Sequence, residues 1–133
     1  MMDFRQMLFE IKKRPLQELR AHSDNYFEAV MSATQLVAAE DVLVSYFGVP
    51  LKPAGLSPSG DANHFSRPYG GIRQNQTMYL RKEKSGNEIA FLWPWGNGAL
   101  VTLKIIAEKE PSKPQSESKF EKFLSFCKSF ISK

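Results

Sequence analysis

The dipeptide Asn97-Gly98, flanked by apolar and β-branched residues, constrains this chain more than any other pair. Both central residues of a type I′ turn need positive φ, which asparagine and glycine tolerate best. Such a turn sets Gly96 opposite Ala99, Trp95 opposite Leu100 and, further out, Leu92 opposite Leu103. Upstream, Lys84-Ser85-Gly86 suits a type I turn closed by a left-handed glycine. That turn pairs Glu83 with Asn87 and the opposite charges Lys82 and Glu88. A two-residue Ser85-Gly86 loop would instead oppose Glu83 and Glu88, two like charges, so the longer loop is preferred. Residues 77–107 are thereby predicted to form a three-stranded antiparallel meander.

Side chains alternate along a strand, so this register sorts the meander into two unlike faces. Met78, Leu80, Ala90, Leu92, Val101, Leu103 and Ile105 make an aliphatic face suited to packing under helices. Thr77, Tyr79, Arg81, Ile89, Phe91, Trp93, Trp95, Leu100, Thr102, Lys104 and Ile106 make the other, which mixes aromatic rings with hydroxyls and cations.

Helical patterns surround the meander. Phe4, Met7, Leu8 and Ile11 have the spacing of one helix face, and Arg14-Pro15 ends that helix. Pro15 then suits the first turn of a short second helix through Leu16 and Leu19. Ser23 or Asp24 is placed to cap a long third helix from about Asn25 to Phe47, closed by Gly48, Val49 and Pro50. Its apolar residues run around most of the circumference, as in a central core helix. Val42–Phe47 also alternates and could form a strand instead. Residues 48–76 hold five glycines and four prolines and read as a long loop, within which Phe65–Ile72 could add a short strand. Residues 108–117 read as a polar linker. Ser118-x-x-Glu121 then matches a capping box, and Phe120, Phe123, Leu124, Cys127, Phe130 and Ile131 fall on one side of an amphipathic C-terminal helix.

The fold class expected is therefore α+β: N-terminal helices, a β-meander of about three to four strands and a C-terminal helix, in one domain spanning 1–133. The meander's aliphatic face is expected to lie under the long helix and the last helix. A chain of 133 residues can bury an ordinary core without staples. Its one cysteine, Cys127, permits no internal disulfide, which fits a reducing, cytoplasmic setting. The first residues lack the continuous apolar run of a signal peptide, and no segment is apolar for long enough to span a bilayer. The net charge of +4 is uneven. Residues 42–104 hold seven basic and three acidic side chains, whereas residues 1–41 hold five basic and seven acidic. The basic excess lies in the meander and the loop before it, which gives a mild preference for anions there.

No set of residues identifies a reaction. His22 and His64 stand in no metal-ligand spacing, and a single cysteine excludes a cysteine-rich metal site. Asp61 and His64, with nearby serines, offer the ingredients of nucleophilic catalysis without a nucleophile-elbow pattern. Cys127 lies on an apolar stripe, where a buried, inert thiol is the ordinary state. Glu40 and Asp41 are adjacent on a helix and diverge by about 100°, unlike a shared acid–base pair. No catalytic residue, metal ligand or cofactor is assigned.

Two features are candidates for binding. Tyr79, Phe91, Trp93 and Trp95, with the cations Arg81 and Lys104, could form a stacking platform. The simpler reading is that this face is covered by the chain's own loop or by a partner, since an open aromatic sheet would expose a large apolar patch. Arg67, Tyr69 and Arg73 around Gly70-Gly71 could present guanidinium forks to an anion. Surface arginines on a solvated turn are the commoner case. The function expected is non-catalytic binding to a protein partner, with a homodimer as its simplest form. A small anionic or aromatic ligand between the aromatic face and loop 48–76 is the alternative. Single-stranded nucleic acid ranks third, because the βαββαβ order of RNA-recognition folds is not visible.

Overall fold

The structure, a computed structural model, describes residues 2–108. The predicted C-terminal helix therefore lies outside the described residues. The first helix, α1 (Phe4–Lys12), forms where expected, with a capping box in which the Asp3 carboxylate accepts from the Gln6 amide at 2.7 Å. Phe4, Met7, Leu8 and Ile11 are its buried face.

Beyond Pro15 the chain departs from the predicted helices. The stretch read as a short second helix is strand β1 (Glu18–His22), and the first part of the predicted long helix is strand β2 (Tyr26–Ser32). The residues between them form the hairpin turn, in which the Ser23 amide donates to the Tyr26 carbonyl at 2.8 Å. β2 is an interior strand, apolar on its helix side through Phe27, Ala29 and Met31 and carrying buried Val30 on the reverse. Its alternation is blurred, so it reads like a buried helix. The helix α2 (Ala33–Phe47) begins at a second capping box, Ser32-x-x-Gln35. Val42–Phe47 is its last turns, not a strand.

Residues 48–76 are partly ordered as a short helix, α3 (Gly60–Ser66), and a 3-10 turn at Arg67–Tyr69, within the stretch that could have added a short strand. Three strands follow: β3 (Thr77–Arg81), β4 (Glu88–Pro94) and β5 (Leu100–Ala107). The sheet thus has five strands, in the order β1-β2-β5-β4-β3, with each neighbouring pair antiparallel. The architecture is α+β, with more strands and fewer N-terminal helices than expected.

The β4–β5 register is the predicted one: Leu92 stands opposite Leu103 and Trp93 opposite Thr102. The turn that sets it is not type I′. Asn97 keeps negative φ and only Gly98 (φ 74°) is left-handed, in a loop where the Gly98 amide donates to the Trp95 carbonyl at 2.8 Å. The β3–β4 register is one residue away from the prediction: Arg81, not Lys82, stands opposite Glu88. A one-residue slip exchanges the faces of a whole strand. Tyr79 and Arg81 accordingly lie on the helix side, and Met78 and Leu80 on the other.

Two apolar layers result. On one side of the sheet α1 and α2 cover Phe27, Ala29, Met31, Tyr79, Ala90, Leu92, Val101, Leu103 and Ile105. On the other, Leu51, Ala62, Phe65, Tyr69 and Ile72 from residues 48–76 cover Met78, Leu80, Ile89, Phe91, Trp93 and Ile106.

Candidate interaction face

The second layer is where the predicted binding residues can be judged one by one. Phe91 is fully buried beneath Tyr69, with ring centres 5.8 Å apart, and Trp93 continues the row 5.5 Å further on. Lys104 lies on the adjacent strand and sets its ammonium 4.1 Å from the centre of the Trp93 ring. Trp95 is 40% exposed, donates its indole N–H to the Thr102 hydroxyl at 2.9 Å, and lies under the Arg20 guanidinium at 5.6 Å. The structure thus brings Tyr69, Phe91, Trp93, Trp95 and Lys104 together along one face.

Four predicted residues stand apart from that row. Tyr79 is 2% exposed in the helix-side core, 5.8 Å from Phe47, where burial and the Glu40 charge push its phenol up to about 12. Arg81, also on the helix side, reaches Glu83 at 2.7 Å and the Tyr46 carbonyl at 3.0 Å, and the Glu83 bond holds its guanidinium above its usual range. Arg73 is exposed at the end of the Gly70-Gly71 turn, where its own amide donates to Gln76 at 2.8 Å. Arg67 is exposed on the 3-10 turn, two residues from Tyr69.

Two clips hold the covering segment in place. The Lys52 side chain, 1% exposed, donates to the backbone carbonyls of Gln74 and Gln76. Its backbone makes an isolated antiparallel bridge with Met78 of β3. The Tyr69 phenol donates to the Glu108 carboxylate just beyond β5, and burial together with that bond pushes the phenol well above its ordinary range. Between residues 48–76 and β3–β4, Leu51, Ala62, Phe65, Tyr69 and Ile72 pack against Met78, Leu80, Ile89, Phe91 and Trp93.

Among the described residues, the cover reaches only half of the face. It spans β3 and β4 and ends at Ile106 of β5. Toward β2 and β1 the face carries Thr102, Lys104, Val30, Glu28 and Arg20. Arg20 lies 3.4 Å from Glu18 and 3.7 Å from Glu28. Val30 is 2% exposed yet is not among the described residues of either apolar layer. The Trp93 indole nitrogen is shut off from water and has no hydrogen-bond partner among the described residues. Arg20 and Val30 were missed by sequence reasoning because β1 and β2 read as helix. The clue available was Ser32-x-x-Gln35, which marks Ser32 as a helix start and frees the residues before it.

On the helix side, a groove of about 630 Å³ lies beside α1 and α2, lined by Gln6, Phe9, Glu10, Arg14 and Asp41 among others. It contains none of the predicted residues. Among the described residues, no group of three or more histidine, cysteine or acidic side chains could hold a metal ion. No described helix is long and apolar enough to cross a membrane. No protein-family model, curated protein or solved structure matches the chain.

Proposed function

We propose that this domain is a non-catalytic binding module whose partner is another protein, engaged through the half of the second sheet face formed by β5, β2 and the Trp93–Trp95 end of β4. The observation that carries this reading is Trp95. A large ring 40% exposed on the sheet face, with its N–H already satisfied by Thr102, is an anchor of low entropic cost beside the cations Lys104 and Arg20. Tryptophan and arginine are among the residues most enriched at interface hot spots. The apolar packing under residues 48–76 favours a protein surface over the small-molecule alternative.

A second copy of the chain is the simplest partner. Sedimentation at rising concentration tests it: a dimer at high micromolar concentration, lost in Trp95→Asp, supports self-association, and a clean monomer removes it. For a different protein, affinity enrichment of wild type is compared with a Trp95→Asp/Lys104→Glu variant of unchanged melting temperature. A protein held by the first and released by the second supports the reading. Identical sets from both end it.

A further inference from the structure

The half of the second face over β5 and β2 carries two marks of a cover that the described residues do not supply. Val30 is 2% exposed there, although it is not among the described residues of either apolar layer. The buried Trp93 indole N–H points to no acceptor among the described residues, although buried donors are nearly always paired. On the helix side α1 and α2 already bury the sheet residues, and the unpartnered Arg14 Nε there lines the groove beside the two helices rather than the sheet.

The chain also leaves the sheet at this face. The Glu108 amide donates to the Asn87 carbonyl at 2.7 Å, and the Glu108 carboxylate accepts from Tyr69 of the covering segment. Residues 109–133, beyond that point, supply the polar stretch and the apolar spacing of Phe120, Phe123, Leu124, Cys127, Phe130 and Ile131. We infer that residues 118–131 dock in cis along β5 and β2 of the second face, with those apolar residues over Val30, Thr102 and Trp93.

The dimensions agree. Helix over 118–131 would be about 21 Å long at roughly 1.5 Å per residue. The eight residues of β5 run about 26 Å at roughly 3.3 Å each. The nine residues between Glu108 and Ser118 reach an average of roughly 17 Å as flexible chain, enough to start such a helix at the near end of β5. A tether this short gives an effective concentration in the millimolar range, which favours the chain's own segment over a second copy's. The inference also deepens the functional reading: if the face binds a protein, this segment is a built-in competitor for it. The docking itself does not depend on that reading.

The chain has two tryptophans and one cysteine, which makes the test direct. Ser125 falls opposite the apolar stripe, so a nitroxide is attached there in a Ser125→Cys/Cys127→Ser variant and the two indole N–H resonances are recorded. Docking in cis broadens both severely at low concentration. It leaves them sharp when label and nitrogen-15 are on different copies in a mixed sample. Broadening in the mixed sample assigns the surface to a second copy's segment and overturns the cis inference, while the protein-binding reading stands. Sharp resonances in both samples overturn docking altogether. As an independent readout, Phe123→Asp/Phe130→Asp should increase acrylamide quenching of tryptophan fluorescence at least twofold with the far-ultraviolet spectrum retained. Unchanged quenching counts equally against docking. Loss of a protein partner in Trp95→Asp bears on the functional reading alone.

Discussion

Tyr46 of α2 donates its phenol hydrogen to the carboxylate of Glu88, which is 1% exposed at the start of β4. The Arg81 guanidinium lies 4.3 Å from the centre of the same phenol ring. This contact joins helix to sheet through a buried charge, and removing a donor from a buried acceptor costs about 1–3 kcal/mol. Tyr46→Phe should lower the unfolding free energy by about that amount in urea titrations. An unchanged midpoint would show that the carboxylate does not depend on the phenol.

The register of β3 can be tested in the same way. Tyr79 belongs to the helix-side core, so Tyr79→Ala should cost about 3–5 kcal/mol, and Leu103→Ala about 2–5 kcal/mol. Val37→Ala, at a position 61% exposed, should stay within about 0.5 kcal/mol. A Tyr79→Ala effect as small as that of Val37→Ala would show that Tyr79 is not packed in a core.

Lys52→Met keeps the length of the side chain and removes its hydrogen bonds. The Gln74 and Gln76 carbonyls then lose their ammonium donor, for an expected loss of about 1–3 kcal/mol. The effect should be local. Amide exchange should accelerate across residues 48–76 and change little in α1 and α2.

Alkaline pH should unfold the protein through its buried phenols. Tyr79 is held up at about 12, whereas an unfolded tyrosine titrates at about 10. Burial foremost raises Tyr46 and Tyr69 as well. The native state keeps protons that the unfolded state releases, so stability is intact below about pH 10 and falls as pH rises toward the folded values. Denaturation between pH 8 and pH 12, both chosen as about two units either side of the unfolded value, should show this slope. Tyr79→Phe should reduce it, with the remainder belonging to Tyr46 and Tyr69, and an unchanged slope would assign the whole effect elsewhere.

Much of the helix-side core was legible because its signals are local. Asn97-Gly98 sits four residues after Trp93 and aligns Leu92 with Leu103 whichever type the turn adopts, since the number of loop residues sets the register. Phe4, Met7, Leu8 and Ile11 announce α1 by spacing alone. Where packing on both sides erases the alternation, local pattern fails. Phe27, Ala29 and Met31 face the helices while Val30 is buried on the reverse, so β2 read as a helix buried all round. The slip at β3 has another cause. Lys82–Glu88 and Arg81–Glu88 are equally good charge pairs in sequence, and what separates them is Tyr79 fitting against Phe47, a contact invisible before the fold is known. The row Tyr69–Phe91–Trp93–Lys104 was legible in its sheet members, while the membership of Arg20 depended on a strand the sequence did not declare.

The bridge between Lys52 and Met78 bears on how copies of this chain can meet. Met78 spends its outward amide and carbonyl on Lys52, at 2.9 and 3.1 Å, so the middle of the β3 margin cannot accept a foreign strand. At the opposite margin, β1 slips register between Leu19 and Ala21, with charged Arg20 at the irregularity and Glu18 beside it. A bulge and charges at a sheet margin discourage edge-to-edge polymerisation. Assembly by extending the sheet from chain to chain is thereby disfavoured at both ends, and copies that associate are left to stack through their broad surfaces, a geometry that closes at two rather than running on into fibres.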